Sequence, residues 1–262
     1  MVFLTTLGSV DLRSEGCGVD LLEHPKRFAV LAYVGAFPGR RYQRESVMAM
    51  FWPEADDSHA RNALRQSLHV IRQSVPSGAL VSHRGGMLSV NADLVRSDAG
   101  EFCRLMDEGL CEAALENYGG DFLPGFYVEE APDFERWCDE QQSRLRRMAL
   151  EALCSLADDA ADQGALETAL AHARRGVELF PHDESMARRL LRLLFRQQNV
   201  AAMTDEFERL RHRLARDLGI SPSAETAEMV GRAQATLPSN GNSRPDRRRV
   251  VRGGGRRMED RF

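Results

Sequence analysis

Seven side chains spaced between Asp56 and Val75 carry the chemistry that stands out first: Arg61, Asn62, Arg65, Gln66, His69, Arg72 and Gln73. Each can donate a hydrogen bond, and none is an acid. A guanidinium fork matches the paired acceptors of guanine or the oxygens of a phosphate, and a carboxamide pairs both ways with adenine. The chemistry these residue types support is non-covalent recognition of nucleic acid. Placed about 100° apart on a helical wheel, the seven fall on one side. Arg61, Arg65 and Arg72 share one flank, Asn62, Gln66 and Gln73 the other, and His69 lies between them. Ala63, Leu64, Ser67, Leu68, Val70, Ile71, Ser74 and Val75 fill the opposite arc, the stripe of a helix packed on a core.

A polar helix face is ordinarily only a solvated face, and arginine is abundant here because Lys26 is the single lysine. A solvated face mixes signs, however, and this one has no acid across seven positions. Asp56 and Asp57 precede the first turn, where they favour the positive end of the helix dipole, and Ser58 or Asp57 suits the cap. Arg44, with Arg40 and Arg41 just before it, suits backbone phosphates or a plain solvated turn. His83 and Arg84 suit phosphate or minor-groove contact, or form an exposed hairpin tip. Trp52 and Trp137 read as core or interface anchors.

Catalytic chemistry has no comparable pattern. There is no G-x-x-x-x-G-K-[ST] phosphate loop, no H-E-x-x-H and no paired-carboxylate motif. Gly85-Gly86 precedes a strand rather than a helix. The seven histidines and five cysteines are scattered without ligand spacing. The expectation is a protein that is not an enzyme, with no cofactor or metal and with reduced thiols, several of them buried.

The elements that must position the polar face lie on either side of it. Residues 2–12 predict one or two strands broken by Gly8. "HPKRFAVLAYVGAF" predicts a helix from Pro25, with Phe28, Leu31, Ala32 and Phe37 near one face. "RESVMAMFW" predicts a short helix stopped by Pro53. The helix 57–75 follows, and "ALVSHRGGMLSV" then gives two extended runs around a glycine pair, a hairpin signal. Strands, three helices and a hairpin make a winged helix, whose last helix enters the major groove. From Asp98 the chain reads as almost entirely helical. Gly164 and Asn199 sit at helix–helix turns about 35 residues apart, close to the tetratricopeptide period. The predicted fold is mainly α: a winged-helix (α+β) domain at 1–97, an all-α tetratricopeptide-like domain at 98–237, and a disordered basic tail at 238–262.

Charge divides along the same lines. The formal total is −4. Residues 1–97 hold 11 Lys+Arg and 9 Asp+Glu, a balance of +2; residues 98–237 hold 16 and 27, giving −11; residues 238–262 hold 8 and 3, giving +5. Local field rather than total charge steers association, so the acidity of the middle does not bar nucleic acid from the N-terminal end. The 43% apolar content suffices for cores. No run is long and apolar enough to span a membrane, and the N-terminus lacks the pattern of a signal peptide, so the expected location is the cytoplasm.

With these segments in order, the sequence resembles the SARP-type bacterial transcriptional activators. "HPKRFAVLAYV", "ESVMAMFWPEAD" and "ARNALRQSLHVIR" resemble the DNA-binding half; "YGGDFLPGF", "FERWCDEQQSRLR" and "RLARDLGISPSAET" resemble the activation domain. The likeness covers roughly residues 2–235. It implies a winged helix fused to a tetratricopeptide-like bacterial transcriptional activation domain, double-stranded promoter DNA read at direct repeats, a homodimer on those repeats, and recruitment of RNA polymerase. By position it places Arg61, Arg65, Gln66, His69 and Arg72 on the recognition helix and His83 and Arg84 on the wing. No receiver domain precedes the winged helix and no nucleotide-hydrolysing domain follows, so switching by aspartate phosphorylation is not expected. The competing expectation is a helical-repeat adaptor or sensor that does not bind DNA.

Overall fold

The computed structural model describes residues 1–14 and 21–235. Cys17 and the tail expected at 238–262 lie outside the described residues. The chain begins with β1 (Val2–Thr5) and β2 (Asp11–Ser14), paired antiparallel with Val2 opposite Ser14 and Thr5 opposite Asp11. The helix α1 (Pro25–Gly35) starts at its proline, and every residue from Phe28 to Gly35 is buried. The expected one-sided pattern therefore understates this helix. It is hemmed in by α2 (Arg44–Phe51), α3 (Asp57–Ser74) and strands of both sheets, so it needs apolar residues all round.

Two three-stranded sheets bracket these helices. β6 (Val95–Ser97) adds parallel to β1, with Val2 opposite Val95, in the order β2-β1-β6. The second sheet is the wing. In it β4 (Leu80–Ser82) and β5 (Met87–Val90) form the expected hairpin, and β3 (Tyr42–Gln43) joins the far side of β5. β3 and β6 were not expected. Runs of two or three residues are too short to show alternation, and both are strands because a neighbouring ladder offers them partners.

The remainder is helical: α4 (Asp98–Asp107), α5 (Cys111–Glu116), α6 (Pro132–Asp162), α7 (Leu166–Leu179), α8 (Glu184–Arg196), α9 (Val200–Leu218) and α10 (Ala224–Ala235). α6 packs on α7, α7 on α8 and α8 on α9 in succession, with Gly164 and Asn199 at the turns as expected. Asn199 caps α9 by accepting the Ala202 N–H at 3.1 Å. Of the cysteines, Cys103, Cys111, Cys138 and Cys154 are free thiols, and burial pushes the Cys138 thiol well above its usual pKa. No described helix is long and apolar enough to cross a membrane.

The β-rich and helical parts are joined by backbone and by rings. Leu7 pairs with Phe122, Gly8 N donates to the Asp121 carbonyl at 2.9 Å, and Leu123 N donates to the Thr6 carbonyl at 2.7 Å. Gly8 has φ +81°, and a Cβ there would lie 2.5 Å from the Gly119 carbonyl, so the "YGGDF" segment meets it backbone to backbone. Beside this seam Trp137 of α6 stacks among Tyr33, Phe37, Phe122 and Phe134, with ring centroids 5.0, 6.4, 5.5 and 5.6 Å away. Of the two tryptophans expected as core or interface anchors, Trp137 sits in this aromatic cluster. Trp52 lies half-buried against Phe51.

Candidate nucleic-acid interface

The polar face of α3 is oriented from its first residue. Asp56 has extended backbone geometry, and its carboxylate accepts the N–H groups of Ser58 and His59, each at 2.9 Å. The cap is therefore Asp56, not Ser58 or Asp57 as the sequence suggested. Starting one residue earlier places the side chain over the two orphan donors a cap must reach. The His59 backbone N–H, the His59 ring and the Ser58 hydroxyl hold the Asp56 carboxyl well below the usual carboxylate range. A depressed folded-state pKa contributes stability above the unfolded pKa and loses it only as pH falls through the folded value. The cap thus stays ionised across the neutral range.

All seven wheel-predicted residues are exposed, while Leu64, Ser67, Leu68, Ile71 and Ser74 turn into the core. The structure also ranks the seven. Arg61 spends its guanidinium on Asp57 one turn back, at 2.9 Å, so the N-terminal end of the face is neutralised rather than basic. Arg65 reaches across to the Asn62 carbonyl oxygen at 2.8 Å, joining the arginine flank to the amide flank. Gln73 Nε2 lies 3.3 Å from His69 Nε2. Gln66 is exposed beside them.

The wing meets the arginine flank. Arg44 begins α2, its N–H donating to the Gly86 carbonyl at 3.0 Å and its guanidinium to Ser82 Oγ at 3.1 Å. Arg72 of α3 donates to the same Ser82 oxygen at 2.9 Å. Three elements therefore converge on one hydroxyl. Sequence reasoning missed Ser82, because a serine ending a short apolar run carries no signal of its own. At the hairpin tip Gly85 and Gly86 have φ +77° and +75°, and Arg84 beside them is exposed. His83 instead turns back across the hairpin, half-buried, with Nε2 2.8 Å from Ser89 Oγ. Arg40 lies over the Phe37 ring, 4.8 Å from its centroid.

The amide flank has a neighbour that sequence reasoning also missed. Arg27, in the first turn of α1, lines an open hollow of about 450 Å³ with Arg65, Gln66, His69 and Val70. Among the described residues no group of His, Cys, Asp and Glu is placed to hold a metal ion. The arrangement offers hydrogen-bond donors and positive charge on a convex helix, which suits binding rather than bond-making.

Comparison with known proteins bears on what this face belongs to. Residues 91–232 match the model of the bacterial transcriptional activator domain, more than half of the chain. The chain belongs to that family. The activator-domain match agrees with the SARP-type resemblance of the sequence segments and with a curated relative. Over 235 residues the chain is 26% identical to the regulatory protein AfsR of Streptomyces coelicolor, covering 82% of this chain and 22% of that protein. The chain thus spans about a fifth of that relative's length. Among solved structures, Mycobacterium tuberculosis EmbR in complex with a low affinity phosphopeptide aligns with a TM-score of 0.56 at 20% identity. That alignment covers 90% of this chain and 66% of the EmbR chain. A SARP-type transcriptional activator is thereby the family assignment, and the mainly helical fold with a small N-terminal sheet region is shared with EmbR.

Proposed function

We propose that this transcriptional activator binds promoter DNA directly, with α3 in the major groove. The observation that carries this reading is the convergence of Arg44 and Arg72 on Ser82, at the edge of an exposed helix face built from Arg, Asn, Gln and His. An arginine pair fixed against the wing suits phosphate contact, which sets register without reading sequence. Arg65, Asn62, Gln66, His69 and Gln73 are the base-reading set, and Arg84 extends the backbone contact along the wing. Residues 1–97 serve as the DNA-binding unit and 98–237 as the activation unit. The charge of −11 on the latter, from 16 basic and 27 acidic residues, turns it away from the duplex. Its surface is then free for RNA polymerase or for a second protomer on a direct repeat.

The test is a titration on duplexes selected by the wild-type protein from a random pool. Arg65→Ala should weaken the selected duplex by about 1–3 kcal/mol and relax the preference at one base pair. Equal affinity and equal preference for the two proteins would overturn the assignment of α3 as the reading helix.

A further inference from the structure

We infer that Arg27 of α1 is a DNA-backbone contact that holds the amide flank of α3 to the opposite strand from the one held by the wing. This rests on the DNA-binding reading above. A major groove is about 12 Å wide, so a helix lying in it has a phosphate row along each flank. On the arginine flank, Arg44 and Arg72, both donating to Ser82, supply the cationic edge. On the other flank α3's own positions are carboxamides, and its cation there, Arg65, reaches across from the arginine flank and is engaged by the Asn62 side-chain oxygen at 2.8 Å, so that phosphate row needs another cation. The fold supplies one from elsewhere. Arg27 comes from the first turn of α1 and, with Arg65, Gln66, His69 and Val70, lines a hollow that contains no acid.

The state of the side chain fits the role. Its neighbour Lys26 lies 3.7 Å from Glu130 and is spent on the helical part of the molecule. Arg27 is half-buried and has no ion pair among the described residues. Its guanidinium charge thus has no carboxylate within ion-pair distance among the described residues. A guanidinium in that condition takes a phosphate oxygen as its natural partner. Arg189, by contrast, is engaged by a carboxylate, Asp158 at 3.1 Å.

The experiment compares the full-length wild-type, Arg27→Gln, Arg27→Lys and Arg72→Gln proteins. Each is titrated across a salt series with two fluorescent duplexes, the one selected by the wild-type protein and one of arbitrary sequence. Arg27→Gln should raise Kd on the order of tenfold on both duplexes. It should make the log–log salt slope shallower by about 0.9, the value of one phosphate. Its base preference should stay that of the wild type, and Arg27→Lys should restore most of the slope. A wild-type slope for Arg27→Gln alongside a shallower one for Arg72→Gln would overturn the role of Arg27 while leaving the DNA reading in place. Lost affinity with an unchanged slope, unrescued by lysine, would make Arg27 a structural residue and also overturn it. If the wild-type protein binds neither duplex, both readings fall.

Discussion

Asp98 is a carboxylate with only 6% of its surface exposed. Four donors surround it: Thr6 N–H, Thr6 Oγ1, Leu7 N–H and Ala99 N–H, at distances of 2.6–2.9 Å. It opens α4 and ties that helix to the end of β1, so one side chain fastens the two parts of the protein together. Removing it strands three backbone N–H groups and a hydroxyl, each costing roughly 1–3 kcal/mol when buried unpaired. Asp98→Ala should therefore destabilise by about 3–5 kcal/mol, read as a lower urea midpoint, and Asp98→Asn should fall between. Little of this was visible in the sequence, because Thr6 and Asp98 are far apart along the chain. The same distance hid Arg27 and Ser82, whose partners lie on other elements. What was legible at this scale is local: the exposed and buried sides of α3 follow from its own periodicity, and only the cap slipped by one residue.

Among the elements, the hairpin tip and the turn after β1 both use glycine in the left-handed region, for different reasons. Gly85 has φ +77° with nothing within 4 Å of a would-be Cβ, whereas Gly8 has φ +81° and backbone 2.5 Å away. Left-handed geometry alone costs a non-glycine residue about 1–2 kcal/mol. Gly85→Ala should lose about that much and keep its fold. Gly8→Ala should lose distinctly more, because the Gly119 carbonyl must move too, and thermal melts of the two variants would separate the causes. Equal losses would show that the Gly8–Gly119 contact is not tight. The glycine pair was readable as a hairpin because its turn chemistry is contained in adjacent residues. Gly8 was readable only as a break, since its close neighbour comes from the helical part. The strands β3 and β6 were invisible for a related reason: the ladder that makes them strands belongs to β5 and β1.

At the scale of the whole molecule, the division of charge was legible from residue counts, and so was the succession from mixed to helical. The joint was not, because an aromatic cluster is drawn from positions spread across the chain. Its backbone is α6, 31 residues long and so about 46 Å from end to end. The start of α6 carries Phe134 and Trp137, seated against Phe51, Tyr33 and Phe37 of the winged-helix part. Its far end packs on α7 and begins the repeat array. A continuous rod clamped at one end leaves no swivel between α3 with its wing and the repeat array. In the proposed function, compass bearing around the DNA axis is then part of the signal. Moving the binding site by half a helical turn should silence a reporter promoter, and moving it by a full turn, about 10–10.5 base pairs, should restore it. Activity that declines smoothly with distance, without that oscillation, would mean the rod bends.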